Sequence, residues 1–228
     1  FSSLKYRNFR YLWASTLFAS AGTWIQQVTL GWLIYDLTGS AFLVGALSGV
    51  RSLPFLLVGP IGGVLSDRMD RRKLLIWTQL FSALLALGFA LLLSLGHVQV
   101  WHLFVFSLLS GTGWSISNPL RQALVANSVP RESLLNAIAL NSTAFNANRA
   151  LGPALGGLLI AFTGPATNFF LQGLFYLAFV ALVLPLRVPR ADAGASPRVS
   201  ILAGFRDGLR YAIQERTILA LILIAIIP

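Results

Sequence analysis

The chain has no cysteine among its 228 residues, and only 11% of those residues are charged. Without cysteine, disulfides and thiolate metal sites are excluded. A soluble domain carries about a quarter charged residues to cover its surface. The hydrophobic share of this chain is 56%, which is more than a soluble core of this size would consume. We therefore predict an all-α protein whose solvent is the lipid bilayer.

Residues that enzymes use are also scarce, since the chain has seven Asp and Glu and two His. They form no cluster with the spacing of metal ligands. No Gly-Lys-Ser/Thr loop for binding phosphate is present either. The sequence therefore predicts no enzymatic activity, no cofactor and no metal site.

Long apolar stretches dominate what is there. About 20 consecutive apolar residues span the hydrocarbon core as an α-helix, and turn signals rich in Gly, Pro, Asp and Ser separate the stretches. The first stretch is too long for the apolar region of a cleavable signal. The predicted spans are roughly 11–35, 42–65, 74–96, 101–126, 136–162 and 168–186.

The formal charge of +10 is distributed unevenly between the gaps that separate these stretches. Basic residues lie at the N-terminus and in 66–73, 121–135 and 187–216, while the alternate gaps have none. By the positive-inside rule, these basic segments and the N-terminus face the cytoplasm. No basic face is interleaved with exposed aromatic residues, so we predict no nucleic-acid partner.

The two ends of the sequence suggest a fragment. It starts without methionine at Phe1 and stops at Pro228 within an apolar run too short to span a bilayer. The segment before that run contains an amphipathic pattern, which fits a helix on the membrane surface or one packed under the bundle. The predicted domains are a six-helix transmembrane domain at 1–186, a cytoplasmic linker with an amphipathic helix at 187–216, and the truncated start of a seventh helix at 217–228.

An internal repeat relates the two halves of the six-helix region. The sequence Gly-Pro-Ile-Gly-Gly-Val-Leu at 59–65 recurs as Gly-Pro-Ala-Leu-Gly-Gly-Leu at 152–158. It aligns the second span with the fifth, so the repeating unit has three helices. Because three is odd, the second unit must insert with inverted orientation. Such inverted repeats build many secondary transporters, whose substrate sites lie near the membrane midplane.

Two motifs resemble those of the major facilitator superfamily. The loop after the second span matches the signature loop, except that Asp70 replaces its usual second Gly. The fifth span resembles the antiporter motif, although its usual earlier Gly is Asn148. The matching residues are Gly63, Asp67, Arg68, Arg71 and Arg72 in the loop, and Gly152, Pro153, Gly156 and Gly157 in the fifth span.

A third segment, at 118–124 followed by Val-Pro-Arg-Glu at 129–132, is similar to the branch containing bacterial drug, macrolide and siderophore exporters. This resemblance implies half of a twelve-helix fold in the bacterial inner membrane, with a C-terminal six-helix half as its partner. It further implies export of amphipathic or anionic small molecules by rocker-switch alternating access. Import by the same fold and a sensor or assembly partner without transport are the alternatives. The resemblance assigns Asp67 to a state-dependent latch between the halves.

Proton-coupled members of the superfamily often carry an arginine in the fourth span, four residues before a glycine. If that glycine is Gly111, the arginine position is Ser107 in this chain. With no acidic residue at the midplane either, this region offers no obvious proton carrier.

Arg51 and Arg149 are the only basic residues that lie far from both ends of a span. A charge at the bilayer centre costs at least about 2.5–3.5 kcal/mol and so needs a cavity or a partner. No carboxylate lies at that depth in this sequence, so the partner is a carboxylate in a C-terminal half, backbone carbonyls or an anionic substrate. The interpretations are a role in substrate binding or gating and a purely structural pairing. Further candidates for a wet cavity are Trp24, Gln26, Gln27, Trp114, Asn118 and Asn146, although buried amides also bond across helices in purely structural roles.

Glycines recur at four-residue spacing in the second and fifth spans, for example Gly45 with Gly49, Gly59 with Gly63, and Gly152 with Gly156. Small residues at this spacing let helices approach closely. They serve either static packing or a sliding surface against a second half.

Overall fold

The computed structural model describes residues 2–68 and 70–186, and within 56–68 it describes the backbone only. The described part is helical and contains no strand, which confirms the prediction of an all-α protein. Six long α-helices follow one another, with short 3₁₀ turns at Ser2–Lys5 and Arg131–Ser133. They are α1 (Arg7–Thr38), α2 (Ala41–Arg68), α3 (Arg71–Ser94), α4 (Val100–Ala126), α5 (Leu134–Thr163) and α6 (Pro165–Val183).

Residues with special backbone or capping roles end the helices where the turn signals predicted. Gly39 closes α1 in the left-handed conformation at φ 66°, and its N–H donates to the Tyr35 carbonyl at 2.7 Å. The carboxylate of Asp70 caps the start of α3 by accepting from the amides of Arg72 and Lys73 at 3.0 and 3.3 Å. Asp70, which departs from the superfamily pattern, therefore has a local structural role.

Two of the described helices, α3 and α6, are long and apolar enough to cross a membrane by length and composition alone, and Ala41–Phe55 of α2 is a shorter apolar stretch. The others carry polar residues near their middle, such as Gln26 in α1 and Asn146 in α5. Six membrane spans therefore stay a prediction.

The helices form two apolar clusters with a polar layer between them. One cluster lies at the end of the unit where α1 begins and α6 ends, and it includes Phe9, Leu75, Leu124 and Phe179. The other lies at the opposite end and is centred on three mutually packed rings: Phe89, Phe106 and Phe169. Between them lie buried polar side chains, among which are Gln26, Thr29, Gln79, Ser115, Asn168 and Gln172.

Glycines allow the closest helix crossings. A Cβ on Gly111 of α4 would lie well inside contact distance of the Arg51 carbonyl oxygen on α2. A Cβ on Gly152 of α5 would lie 2.6 Å from Trp24 Cβ on α1, and one on Gly156 would lie 2.7 Å from Val28 Cγ1. The pair in α5 thus provides close packing against α1.

Other glycines of the predicted pairs have open space beside them. A Cβ built on Gly45, Gly49 or Gly157 would have no neighbouring atom within 4 Å. For these glycines the interpretation as a sliding surface against a second half stays a prediction. The predicted linker at 187–216 and the predicted helix start at 217–228 lie outside the described residues.

Candidate functional site

A cavity opens in the polar layer between the two apolar clusters. Five helices contribute to its wall, and most of the lining side chains are polar. The lining consists of Ala19, Thr23, Gln26, Arg51, Gln79, Ser82, Leu85, Phe106, Ser110, Trp114, Ser117, Arg121, Gln172 and Tyr176.

A chain of amide and hydroxyl hydrogen bonds crosses this layer. Gln26 donates from Nε2 to Ser110 Oγ at 3.1 Å, and its Oε1 accepts from Gln172 Nε2. Gln172 also donates to the Tyr176 hydroxyl at 3.1 Å. Three helices, α1, α4 and α6, are thereby joined through polar side chains, most of whose atoms find hydrogen-bond partners, as buried polar groups usually do. Gln26, one of the predicted cavity residues, both lines the cavity and holds this network together.

Arg51 enters the cavity wall from the middle of α2. It is half-buried, and its Nη1 donates to Gln27 Oε1 at 3.3 Å. Its own carbonyl carries the crossing with Gly111 of α4. Trp114, another predicted residue, lines the cavity and packs on Phe55 with ring centroids 6.0 Å apart.

A second arginine in the wall, Arg121, was not among the predicted site residues. Its charge belongs to the basic segment 121–135 that the positive-inside rule places in the cytoplasm, and α4, which runs to Ala126, buries it to 9% exposure. Its Nη2 donates to Asn118 Oδ1 at 3.2 Å, while its Nε is buried without a hydrogen-bond partner. Its position five residues before the helix end made it look like an ordinary loop charge. Pro119, two residues earlier, often marks the end of a helix, but here it lies within α4. The sequence around Arg121 therefore gave no sign that the arginine is buried inside a continuing helix.

Arg149 lies outside the cavity, on the exposed side of α5. Its guanidinium carbon is 5.6 Å from the centroid of the Trp24 ring, which fits a cation–π contact. Trp24 also meets Phe145 edge-on at 5.6 Å, and its Nε1 is buried without a partner.

The two predicted arginines meet neighbouring positions of α1. Arg149 contacts Trp24 and Arg51 contacts Gln27, and residues three apart share one face of a helix. We call Trp24, Gln27, Arg51 and Arg149 the arginine face. Gln27 and Arg149 are exposed, so this face is open on the described unit. Arg51 belongs both to the arginine face and to the cavity.

A polar stripe on α5, which includes the predicted cavity residue Asn146, extends the open surface. Ser142, Asn146 and Arg149 are all exposed, so Asn146 lies on the same side as the arginine face but outside the cavity. Asn148 instead turns towards α1, where its Nδ2 donates to the Leu17 carbonyl at 3.0 Å and to Ser20 Oγ at 2.6 Å.

The structure gives Ser107 a packing role. It is buried and donates to the Leu47 carbonyl at 3.0 Å, which ties α4 to α2. The position where proton-coupled relatives carry an arginine thus holds a small donor between two helices.

The signature loop is described in part. Arg72 donates from Nε to the Val183 carbonyl at 3.2 Å and from Nη2 to the Leu184 carbonyl, so it satisfies two acceptors at the end of α6. Arg71 lies at the start of α3. Gly63, Asp67 and Arg68 lie in the last turns of α2, and their side chains lie outside the described residues.

The cavity has a positive field. Among the described residues, its lining contains two guanidinium groups and no carboxylate. The described acidic side chains lie elsewhere: Asp36 and Glu132 are exposed near helix ends, and Asp70 caps α3. Within the described residues, no group of three His, Asp or Glu side chains is placed to hold a metal ion. The arrangement suits anions and hydrogen-bond acceptors rather than cations.

Known proteins match the chain along most of its length. A family model of the major facilitator superfamily, described as a transmembrane secretion effector, matches residues 1–227. The staphyloferrin A transporter of Staphylococcus aureus is 29% identical over 178 residues, which are 78% of this chain and 45% of that protein. Macrolide efflux protein A of Streptococcus pyogenes is 23% identical over 225 residues, covering 96% and 56%. The enterobactin exporter EntS of Shigella boydii serotype 18 is 30% identical over 176 residues, covering 76% and 39%. The chain thus spans about half the length of the curated relatives it matches.

Proposed function

The chain belongs to the transmembrane secretion effector family of the major facilitator superfamily, and we propose that it forms the N-terminal half of a secondary active exporter. The superfamily consists of integral membrane transporters and not of enzymes. Relatives named for export or efflux support outward transport. The coverage of about half of each relative supports a second six-helix half as the partner.

We assign the six helices to six membrane spans arranged as two inverted triplets, with the N-terminus in the cytoplasm. Helix pairing supports this arrangement. In such a repeat α1 corresponds to α4, α2 to α5 and α3 to α6. The contact between α2 and α4 should therefore have a counterpart between α5 and α1. Both contacts are present, and both are among the most extensive in the unit. The basic segments that motivated the orientation still favour it after Arg121 is removed from the count.

The single observation that carries the substrate class is the convergence of Arg51 and Arg149 on one open face of α1. Guanidinium groups bind carboxylates in a bidentate manner, and neither arginine has a carboxylate partner among the described residues. The rings of Trp24 and Trp114 lie beside them and offer apolar surface. An amphipathic or anionic small molecule, of the drug or siderophore type, fits this chemistry.

Alternating access would expose this face first to one side of the membrane and then to the other. The open glycines of α2 and α5 and the signature loop are the elements we assign to movement against the second half. Asp67 and Arg68 take the latch role in this scheme by resemblance to the superfamily loop.

The test is substrate efflux by the full-length protein in inverted membrane vesicles, with a panel of anionic, amphipathic and neutral compounds. Arg51→Gln and Arg149→Gln should each reduce transport of anionic compounds by about tenfold, because each removes one charge-assisted contact. Neutral compounds should be affected less. Arg131→Gln, which changes an exposed arginine of the turn before α5, is the matched control.

Three results would contradict the proposal in different ways. Unchanged transport of every compound in both variants would refute the role of the arginine face. Flux only into the cytoplasm would favour the importer. A full-length protein that moves no compound in either direction, while folded in the membrane, would favour a sensor or assembly partner.

A further inference from the structure

Arg121 presents a feature that the arginine face does not use. It is buried to 9% exposure, yet its Nε has no hydrogen-bond partner, and its one described side-chain bond is to the neutral amide of Asn118. A guanidinium group carries five donors and cannot lose its charge in a protein. Removing such a charge from water without a counter-charge is strongly unfavourable.

The same cavity holds a second guanidinium group. Arg51 and Arg121 come from α2 and α4, which cross closely where Gly111 meets the Arg51 carbonyl. Both side chains line one cavity, and the described part of its lining contains no carboxylate. Their mutual repulsion raises the cost of leaving the pair uncompensated.

Neutral polar groups complete the lining of this space. They include the hydroxyl of Tyr176 and the Oγ atoms of Ser82, Ser110 and Ser117, and the three serine hydroxyls donate to backbone carbonyls within their own helices. In addition, Gln172 Oε1 is buried without a partner, so it can accept a hydrogen bond from a water molecule in the cavity. The lining therefore has two positive charges, one buried guanidinium N–H without a partner and one free acceptor, which fits an anion with a bound water.

The lining also indicates the size and class of the anion. Sites for drug-sized ligands are lined predominantly by apolar and aromatic side chains. Most side chains that line this cavity are polar, and the fully apolar ones are Ala19, Leu85 and Phe106. We propose that the space between Arg51 and Arg121 binds a small monovalent inorganic anion, such as chloride, which holds α2 and α4 together by neutralising the two cations.

The experiment uses the purified full-length protein in detergent micelles. Its thermal unfolding midpoint is measured while sodium gluconate is replaced by sodium chloride at constant ionic strength. Chloride should raise the midpoint with saturation, because a ligand that binds only the folded state stabilises it. Arg121→Gln should lower the apparent affinity for chloride by about tenfold or more. Arg131→Gln should leave the response unchanged.

A second measurement does not depend on the folding of that variant. Trp114 lines the cavity, so bromide, a heavy halide, should quench its fluorescence with saturation in the unmodified protein. Trp114→Phe should abolish the saturable part of the quenching, since the other five tryptophans of the chain lie outside the lining.

Several outcomes would overturn the inference. They are a midpoint independent of chloride in the unmodified protein, an equal chloride response in Arg121→Gln, and quenching that never saturates. Stabilisation by acetate or by a transported anion, with none by chloride, would assign the pair to a carboxylate and also overturn it. If the unmodified protein exports substrate normally but its unfolding midpoint does not respond to chloride, only this inference is refuted. Loss of efflux in Arg149→Gln tests the proposed function and does not bear on the chloride site.

Discussion

Replacing Gly111 with alanine should destabilise the protein through one backbone contact. Glycine at this position lets α4 cross α2 directly at Arg51. The added Cβ would lie 3.1 Å from the Arg51 carbonyl carbon and 3.3 Å from its Cα, and closer still to its carbonyl oxygen. These are backbone atoms, so no side-chain rotation can relieve the overlap.

The magnitude follows from what must move. The two helices must separate by roughly 1 Å, and each atom pair at the crossing then loses a quarter to a half of its dispersion energy. Overpacking of this kind costs about 1–3 kcal/mol, and a backbone clash falls at the upper end. The separation also shifts Ser107 away from the Leu47 carbonyl, which it contacts at 3.0 Å. We therefore expect a loss of about 3 kcal/mol.

The assay is thermal unfolding of the purified full-length protein, with Gly88→Ala as the matched control. Gly88 lies within α3, and a Cβ built on it has no neighbour within 4 Å. Alanine should stabilise that helix by about 0.5–1 kcal/mol. The two variants thus make the same chemical change with opposite expected signs. A Gly111→Ala protein as stable as the unmodified one would refute the crossing described for α2 and α4.

Two further predictions concern helix contacts. Asp70→Ala should lower the free energy of unfolding by about 1 kcal/mol, because it removes the cap of α3. Hydrogen exchange of the Arg72 and Lys73 amides should then accelerate by about fivefold, whereas Asp70→Asn should keep these amides protected. Equal exchange rates in the unmodified protein and both variants would contradict the cap. Gly152→Val should lower the thermal unfolding midpoint, because the new side chain overlaps Trp24 Cβ. The control Gly157→Ala should leave the midpoint unchanged. A Gly152→Val protein as stable as the unmodified one would contradict the close packing of α5 on α1.

Much of the helical organisation is predictable from local sequence. Runs of apolar residues end at Gly39, at Asp70 and at the Gly164-Pro165 pair, and each of these has a backbone reason to end or start a helix. The identity of the residues suffices there because the cap and its partners lie within one helical turn.

The site was predicted less completely, because it depends on contacts between distant helices. Arg51 stood out as a charge in the middle of an apolar stretch, and it does line the cavity. Arg121 lies near a helix end, where sequence cannot distinguish a buried arginine from a loop charge. Gly111 has Ser107 and Ser115 at four-residue spacing, a pattern of small residues that permits close helix approach, but the pattern does not say which helix it meets.

The contact of Arg72 with the end of α6 has a mechanical consequence. The carbonyls of Val183 and Leu184 lie at the C-terminal end of α6, and Arg72 lies in the first turn of α3. A force that pulls the end of α6 away from the bundle is therefore shared between α6 and α3 through these two hydrogen bonds. A substitution of Arg72 would leave the hydrogen bonds of α6 to carry that force alone.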